Sequence, residues 1–257
     1  MKNSILKYLV VLLTILTYSN INSQTCGFGC LGLSGIYAGY SIQQYEANGL
    51  NNYLNEIVHP SHLSTIQDDK FDFNEASGFK IGINLVRADY PNFFFTFKGF
   101  YQFLSEEQTI EIPDGMGYDF TYNAKLEMNN WGFGLDFGIP FGTFVDWKII
   151  DGELKFFSPK LTFKSGYNNP AANYFGIDNK YTPVKVKMGF SLGSGFLFHI
   201  IEDYISVEAT GSYTFVEIDY LLSDKDGSRI PFENSSDKFI SKGGLQGLIQ
   251  INIGMPL

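Results

Sequence analysis

Trp131-Gly132-Phe133-Gly134-Leu135-Asp136-Phe137-Gly138-Ile139 sets one bulky apolar residue against one glycine or aspartate at every step. A period of two belongs to an extended strand, whose successive side chains leave on opposite faces. One face of this strand is therefore Trp131, Phe133, Leu135, Phe137 and Ile139; the other is three glycines and Asp136.

The same alternation recurs along the chain. It runs over Ile36–Gln43, Gly78–Arg87, Phe93–Leu104, about Tyr122–Ile139, Lys160–Tyr167, Val184–Phe198, Tyr204–Phe215 and Phe239–Met255, which makes eight strands. Several are longer than the five or six residues usual in soluble sheets, and a tilted strand needs about 9–11 residues to cross a bilayer. The excess predicts strands that project beyond the membrane on one side. Connections alternate in length. Ala88–Asn92 and Ile200–Asp203 are short, whereas Gln44–Ser77, Ser105–Thr121, Asn168–Pro183 and Val216–Lys238 are long. That alternation places short turns on a periplasmic rim and long loops outside. Pro140–Pro159 breaks the rule. Asp151-Gly152 at its centre suggests a small periplasmic hairpin, although an extension of the fifth strand fits the same residues.

Alternation alone does not say which face points inward. A lipocalin-type soluble carrier would bury the apolar side. Eight strands, however, leave an interior only wide enough for side chains. Glycine and small polar residues suit that space; Phe93, Phe95, Phe97, Phe133, Phe137, Phe196 and Phe198 suit lipid. The polar face is therefore expected inside, with Tyr and Trp forming interfacial girdles. This puts Lys80, Lys98, Asp136, Lys160, Lys164, Lys185, Lys187, Glu208 and Lys242 on the lumen side. Two consequences are open. Either Asp136 and Glu208 bridge lysines and plug the barrel while the remaining lysines reach solvated rims, or a lysine-lined narrow pore passes small anions.

Composition agrees. The 257 residues include 25 Phe, 16 Tyr and 27 Gly, yet only 18% are charged and mean hydropathy is near zero. Soluble domains carry about 25% charged residues. Residues 1–23 have a signal-peptide pattern: Lys2 and Lys7, an apolar core from Tyr8 to Tyr18, then a polar exit to Ser23. Residues 24–34 are expected to form an N-terminal periplasmic segment, and 35–257 the barrel. Loss of Lys2 and Lys7 takes the net charge from −9 to −11, which argues against nucleic acid as a partner. Cys26 and Cys30 could close a disulfide in an oxidising compartment.

Candidate chemistry is sparse, and no cofactor is implied. His59 and His62, near Glu56, Asp68 and Asp69, are the only weak metal candidates, and Pro60 disfavours a helical pair. No nucleophile motif flanks a serine near a histidine, so a loop-borne hydrolase has little behind it. Leu50, Tyr53, Leu54 and Ile57 lie at helical spacing in the first long loop, giving a short helix that either caps the mouth or faces another envelope protein. Asp224-Lys225-Asp226-Gly227-Ser228 has a faint calcium-loop look without the downstream glutamate.

With these residues in view, the chain resembles the small eight-stranded outer-membrane barrels of the OmpA-barrel, OmpX and OmpW type. It is most similar to the outer membrane protein beta-barrel families of Bacteroidota, through Gln24 after a polar exit and the glycine-rich closing strand Gly243–Leu248. The resemblance covers about Gly35 to Leu257. It departs at Met255-Pro256-Leu257, where such barrels often end on an aromatic residue. It implies an all-β, eight-stranded antiparallel up-and-down transmembrane barrel, exported to the bacterial outer membrane. It further implies a non-enzymatic structural or surface-interaction role, with outer-membrane lipid as the surrounding partner.

Overall fold

Eight strands, each paired to its neighbours by an antiparallel ladder, close on themselves in the computed structural model. The structure describes residues 34–61, 70–113, 119–167, 178–201, 204–233 and 235–254. The expected signal peptide, Cys26, Cys30, His62 and the last three residues lie outside the described residues. The elements are β1 (Gly35–Glu46), α1 (Asn48–Ser61), β2 (Glu75–Asp89), β3 (Phe94–Pro113), β4 (Asp119–Pro140), β5 (Val145–Tyr167), β6 (Asp178–Thr182), β7 (Lys187–Ile201), β8 (Ile205–Phe215), β9 (Leu221–Ser223), β10 (Arg229–Ile230) and β11 (Lys242–Gly254). The ring runs β1-β2-β3-β4-β5-β7-β8-β11, and β11 returns to β1 with Gly35 opposite Gly254 and Glu46 opposite Lys242. The short strands β6, β9 and β10 stand outside the ring and extend the upper part of β5 as a side sheet.

The outer surface carries the apolar residues. Ile36, Phe79, Phe97, Phe133, Leu154, Phe196 and Ile251 are each at least 36% exposed, on seven different strands. In water such a surface would drive aggregation; in hydrocarbon it is the required one. The soluble-carrier alternative is therefore overturned: the protein is a transmembrane barrel. Closure leaves no open edge within the ring, so the strands satisfy one another's backbone groups where no water can.

The faces change character at one level. On β3 the outward residues are apolar up to Phe103 and polar from Ser105; on β4 the change falls between Trp131 and Asn129, and on β5 between Phe156 and Ser158. The inward face changes in the opposite sense at the same height. Below it are Lys98, Gln102, Asn130 and Lys155; above it are Leu104, Leu126, Met128, Phe157, Leu161 and Phe163, all buried. Phe93 to Phe103 spans roughly 23 Å along the membrane normal for a strand tilted by about 45°.

The segment 140–159 is a strand extension and not the periplasmic hairpin. The turn is residues 141–144, and β5 pairs with β4 and β7 through Asp151-Gly152. What disguises the strand is a β-bulge. Against β4, Phe137 and Gly138 face Ile150 and Lys148; against β7, Lys148 and Asp151 face Gly195 and Gly193. One extra residue on β5 resets the alternation, so Lys148 and Asp151, three apart, both point inward. A bulge in lipid frees backbone groups. Ser194 answers this: its outward hydroxyl donates to the Lys148 carbonyl at 2.6 Å and accepts the Trp147 indole N–H at 3.1 Å.

Candidate functional site

The lumen is filled in layers, starting at the short-turn rim. There a cavity of about 340 Å³ opens downward, lined among others by Arg87, Tyr90, Thr143, Asp146, His199 and Asn252. Asp146 on β5 draws in Arg87 from β2 at 3.1 Å and His199 from β7 at 2.9 Å, tying three strands across the mouth. The Arg87 guanidinium also lies 4.6 Å above the Phe94 ring.

The floor of this vestibule is a compact ion cluster. Lys98 Nζ lies 2.8 Å from Asp136 and 3.0 Å from Asp151. Lys148 Nζ meets Asp136 at 2.9 Å, Asp151 at 3.1 Å and Glu208 at 2.5 Å. Lys80 binds Glu153 and sits 4.1 Å over the Phe100 ring. Lys155 meets Glu153 at 3.4 Å and is held also by Gln246 and Thr214. All eight ionic side chains are buried. Four ammoniums face four carboxylates, so the cluster carries no net charge and each of its ions has partners, as burial demands. Inward glycines make the room: a Cβ on Gly134 would stand 2.4 Å from Lys98 Cε, and one on Gly82 would stand 2.2 Å from Tyr37 Cζ.

Above the cluster lies a carboxamide layer. Gln102 donates to Ser41 at 2.9 Å, and Gln246 to the same hydroxyl at 3.2 Å. Above that again the lumen ends in a hydrophobic core. α1 lies across the mouth and buries Leu50, Tyr53, Leu54 and Val58 against Phe71, Phe73 and the upper walls of β3–β5. Two asparagines one helical turn apart fasten the segment that carries Phe71 and Phe73 beside it. Asn51 accepts from the Phe73 N–H at 2.8 Å and donates to its carbonyl at 3.1 Å; Asn55 does the same for Phe71 at 2.8 and 3.0 Å. Burial, and then the Tyr181 hydroxyl beside it, push the Tyr53 phenol up from its ordinary value.

Of the residues expected in the lumen, Lys80, Lys98, Asp136 and Glu208 lie inside. Lys160, Lys164, Lys185 and Lys242 do not, which corrects that expectation, while Lys187 stands on the inward row of β7 opposite Phe157 but at its partly exposed upper end. Lys160 points outward to Glu127 at 2.9 Å, Lys164 and Lys185 are exposed, Lys187 meets Asp219 at 2.7 Å, and Lys242 is exposed 3.7 Å from Glu46. All five lie above the level where the faces exchange or at upper strand ends, where inward positions of β5 belong to Leu161 and Phe163. Lys187 in turn holds the Asp219 carboxyl below the usual carboxylate range through its hydrogen bond.

Lys148, Asp151, Glu153 and Lys155 were missed because they fell inside the supposed hairpin. Their signal was present: Asp151, Glu153 and Lys155 alternate with Gly152, Leu154 and Phe156. His59 lies in α1, but its side chain, like all of His62, is outside what the structure describes. Among the described residues no group of three or more His, Cys, Asp or Glu is placed to hold a metal. His199 has Asp146 as its partner and no serine hydroxyl within hydrogen-bond distance among the described residues. The Asp224–Ser228 turn closes on itself, Asp226 accepting from the Ser228 N–H at 3.0 Å with Gly227 at φ 72°.

A closed antiparallel barrel with an apolar exterior, polar lumen, short turns on one rim and long connections on the other is the architecture of bacterial outer-membrane proteins. No family model matches the chain, and no curated protein matches it either. Among solved structures it is similar to Ail, the attachment invasion locus protein of Yersinia pestis, in complex with the heparin analogue sucrose octasulfate. That likeness has 12% identity, covers 86% of this chain and 97% of that one, and has a TM-score of 0.37. It is also similar to the outer membrane protease OmpT of Escherichia coli, with 12% identity, 88% and 94% coverage and a TM-score of 0.39.

Proposed function

We propose that this outer-membrane barrel is a non-conducting, non-enzymatic anchor that presents a folded extracellular cap to surface partners. The observation that carries this reading is the double closure of the lumen: a charge-balanced ion cluster, then a hydrophobic core beneath α1. A lysine-lined anion pore has less support, because each buried lysine is matched by a carboxylate. The side sheet β6-β9-β10 and the clamp of Asn51 and Asn55 support a cap that is folded and not merely a set of connecting loops. The apolar face of α1 is spent on the cap, so contact with another envelope protein through the first loop would fall to its polar side, where Asn52 and Glu56 are exposed. Within outer-membrane barrels, the polar exit before Gln24 and the glycine-rich β11 favour the Bacteroidota families.

The test is planar-bilayer recording on refolded protein. No discrete conductance is expected. Steady current steps would overturn the closed-lumen reading and return the narrow pore. In parallel, Asn52→Ala with Glu56→Ala should weaken adhesion of expressing cells to other cells or matrix while the heat-modifiable gel shift persists. Unchanged adhesion would count against a role for this face.

A further inference from the structure

The lipid-facing surface is not flush everywhere. Among the small positions on its outward rows of isoleucine and aromatic residues, two border a single groove on the β1–β4 side of the barrel. Ala38 on β1 stands between Ile251 and Ile81, and Gly99 on β3 stands between Ile83 and Phe133. A Cβ built on Gly99 would meet nothing nearer than 3.8 Å, so the space outside it is open. The result is a groove of about 860 Å³ with an almost wholly apolar lining. Tyr101 and Trp131 line its upper end, just below the level where the outer face turns polar.

We propose that this groove seats the hydrocarbon tail of an outer-leaflet lipid as a resident ligand. The groove is continuous with the belt the bilayer already covers, so its occupant arrives from the membrane and not from water. Its lining offers almost no hydrogen-bonding group, which matches an alkyl chain and would penalise any polar one. Inside a membrane no hydrophobic drive favours one apolar contact over another, so selectivity comes from close packing. A tail lying in a groove touches protein on three sides, whereas a tail on the flat belt touches it on one; many small dispersion contacts then add up. The phenol of Tyr101 and the indole of Trp131 stand where ester and headgroup oxygens of that lipid would lie.

The chain has two tryptophans, Trp131 at the groove and Trp147 on β5. Trp147→Phe leaves Trp131 as sole reporter. Phosphatidylcholine with brominated tails is titrated into the folded, detergent-solubilised variant while Trp131 fluorescence is read. A saturable quench at low lipid-to-protein ratio is expected. Gly99→Leu, and separately Ala38→Leu, should raise the lipid needed for half-quenching at least fivefold, with the gel shift reporting that each variant is folded. Trp131→Phe, which leaves Trp147, should show only a quench that rises in proportion to lipid. A non-saturable quench at Trp131, equal in parent and filled variants, would overturn the site. Disulfide-linked dimers of an Ala38→Cys variant in membranes would also overturn it, by giving the groove to a second copy of the chain.

Discussion

Replacing Lys98 by methionine removes one of the four buried cations and leaves Asp136, Asp151 and Glu153 with fewer partners. Lys98 is the sharper choice over Lys148 because Lys148 lines the vestibule and Lys98 does not, although each is only 1% exposed. Breaking a buried ion pair from one side costs about 3–5 kcal/mol, since the surviving charge stays desolvated. Against a total stability of about 5–15 kcal/mol, that is a shift of roughly a hundred- to several-thousand-fold in the folding equilibrium. The assay is reversible urea unfolding in lipid vesicles, followed by the gel shift. Lys98→Met should lower the midpoint by an amount corresponding to that loss. Adding Asp136→Asn restores three cations against three anions and should recover at least half of it, because the two sites share one network. A single-variant loss below about 1 kcal/mol, or two losses that simply add, would refute the picture of a dry, mutually compensated cluster.

Two further outcomes follow from the strand geometry. Ser194→Ala strips the bulge carbonyl of Lys148 of its donor in a water-free setting and should cost about 1–3 kcal/mol; Ser194→Thr keeps the hydroxyl and should cost much less in the same unfolding assay. Gly82→Ala places a methyl group against the Tyr37 ring and should cost about 1–3 kcal/mol as overpacking. Tyr37→Ala in that background should be less harmful than in the parent, and an equal effect in both would sink the steric account.

How far the sequence could be read depended on whether its period survived. Trp131–Ile139 alternates without interruption, and from it the strand, its lipid face and the inward Asp136 all followed. Where β5 bulges at residues 149–150 the period slips by one. Asp151-Gly152 then looked like a turn, although Asp151 is a strand residue bonded to two lysines. Lys160 and Lys164 failed for a different reason. Their alternation with Leu161 and Phe163 is regular, but its meaning reverses above the bilayer, where water lies outside and the cap core inside. Nothing local in those residues marks the height at which the solvent changes. The helix was legible because Leu50, Tyr53, Leu54 and Ile57 keep a helical spacing; what it covers depended on contacts far apart in the chain, such as Asn51 with Phe73.

The coincident reversal of both faces has a mechanical consequence. Sliding the barrel outward by one residue pair would lift Phe103 and Trp131 out of hydrocarbon, and sliding it inward would drag Ser105 and Asn129 into it, with Glu107 and Glu127 next. The protein thus has a single depth of immersion and a stiff wall on either side of it. In a membrane thicker or thinner than the belt, the barrel cannot ride up or down to relieve the misfit. The elastic strain falls on the lipid instead, which must stretch or compress into a collar around it.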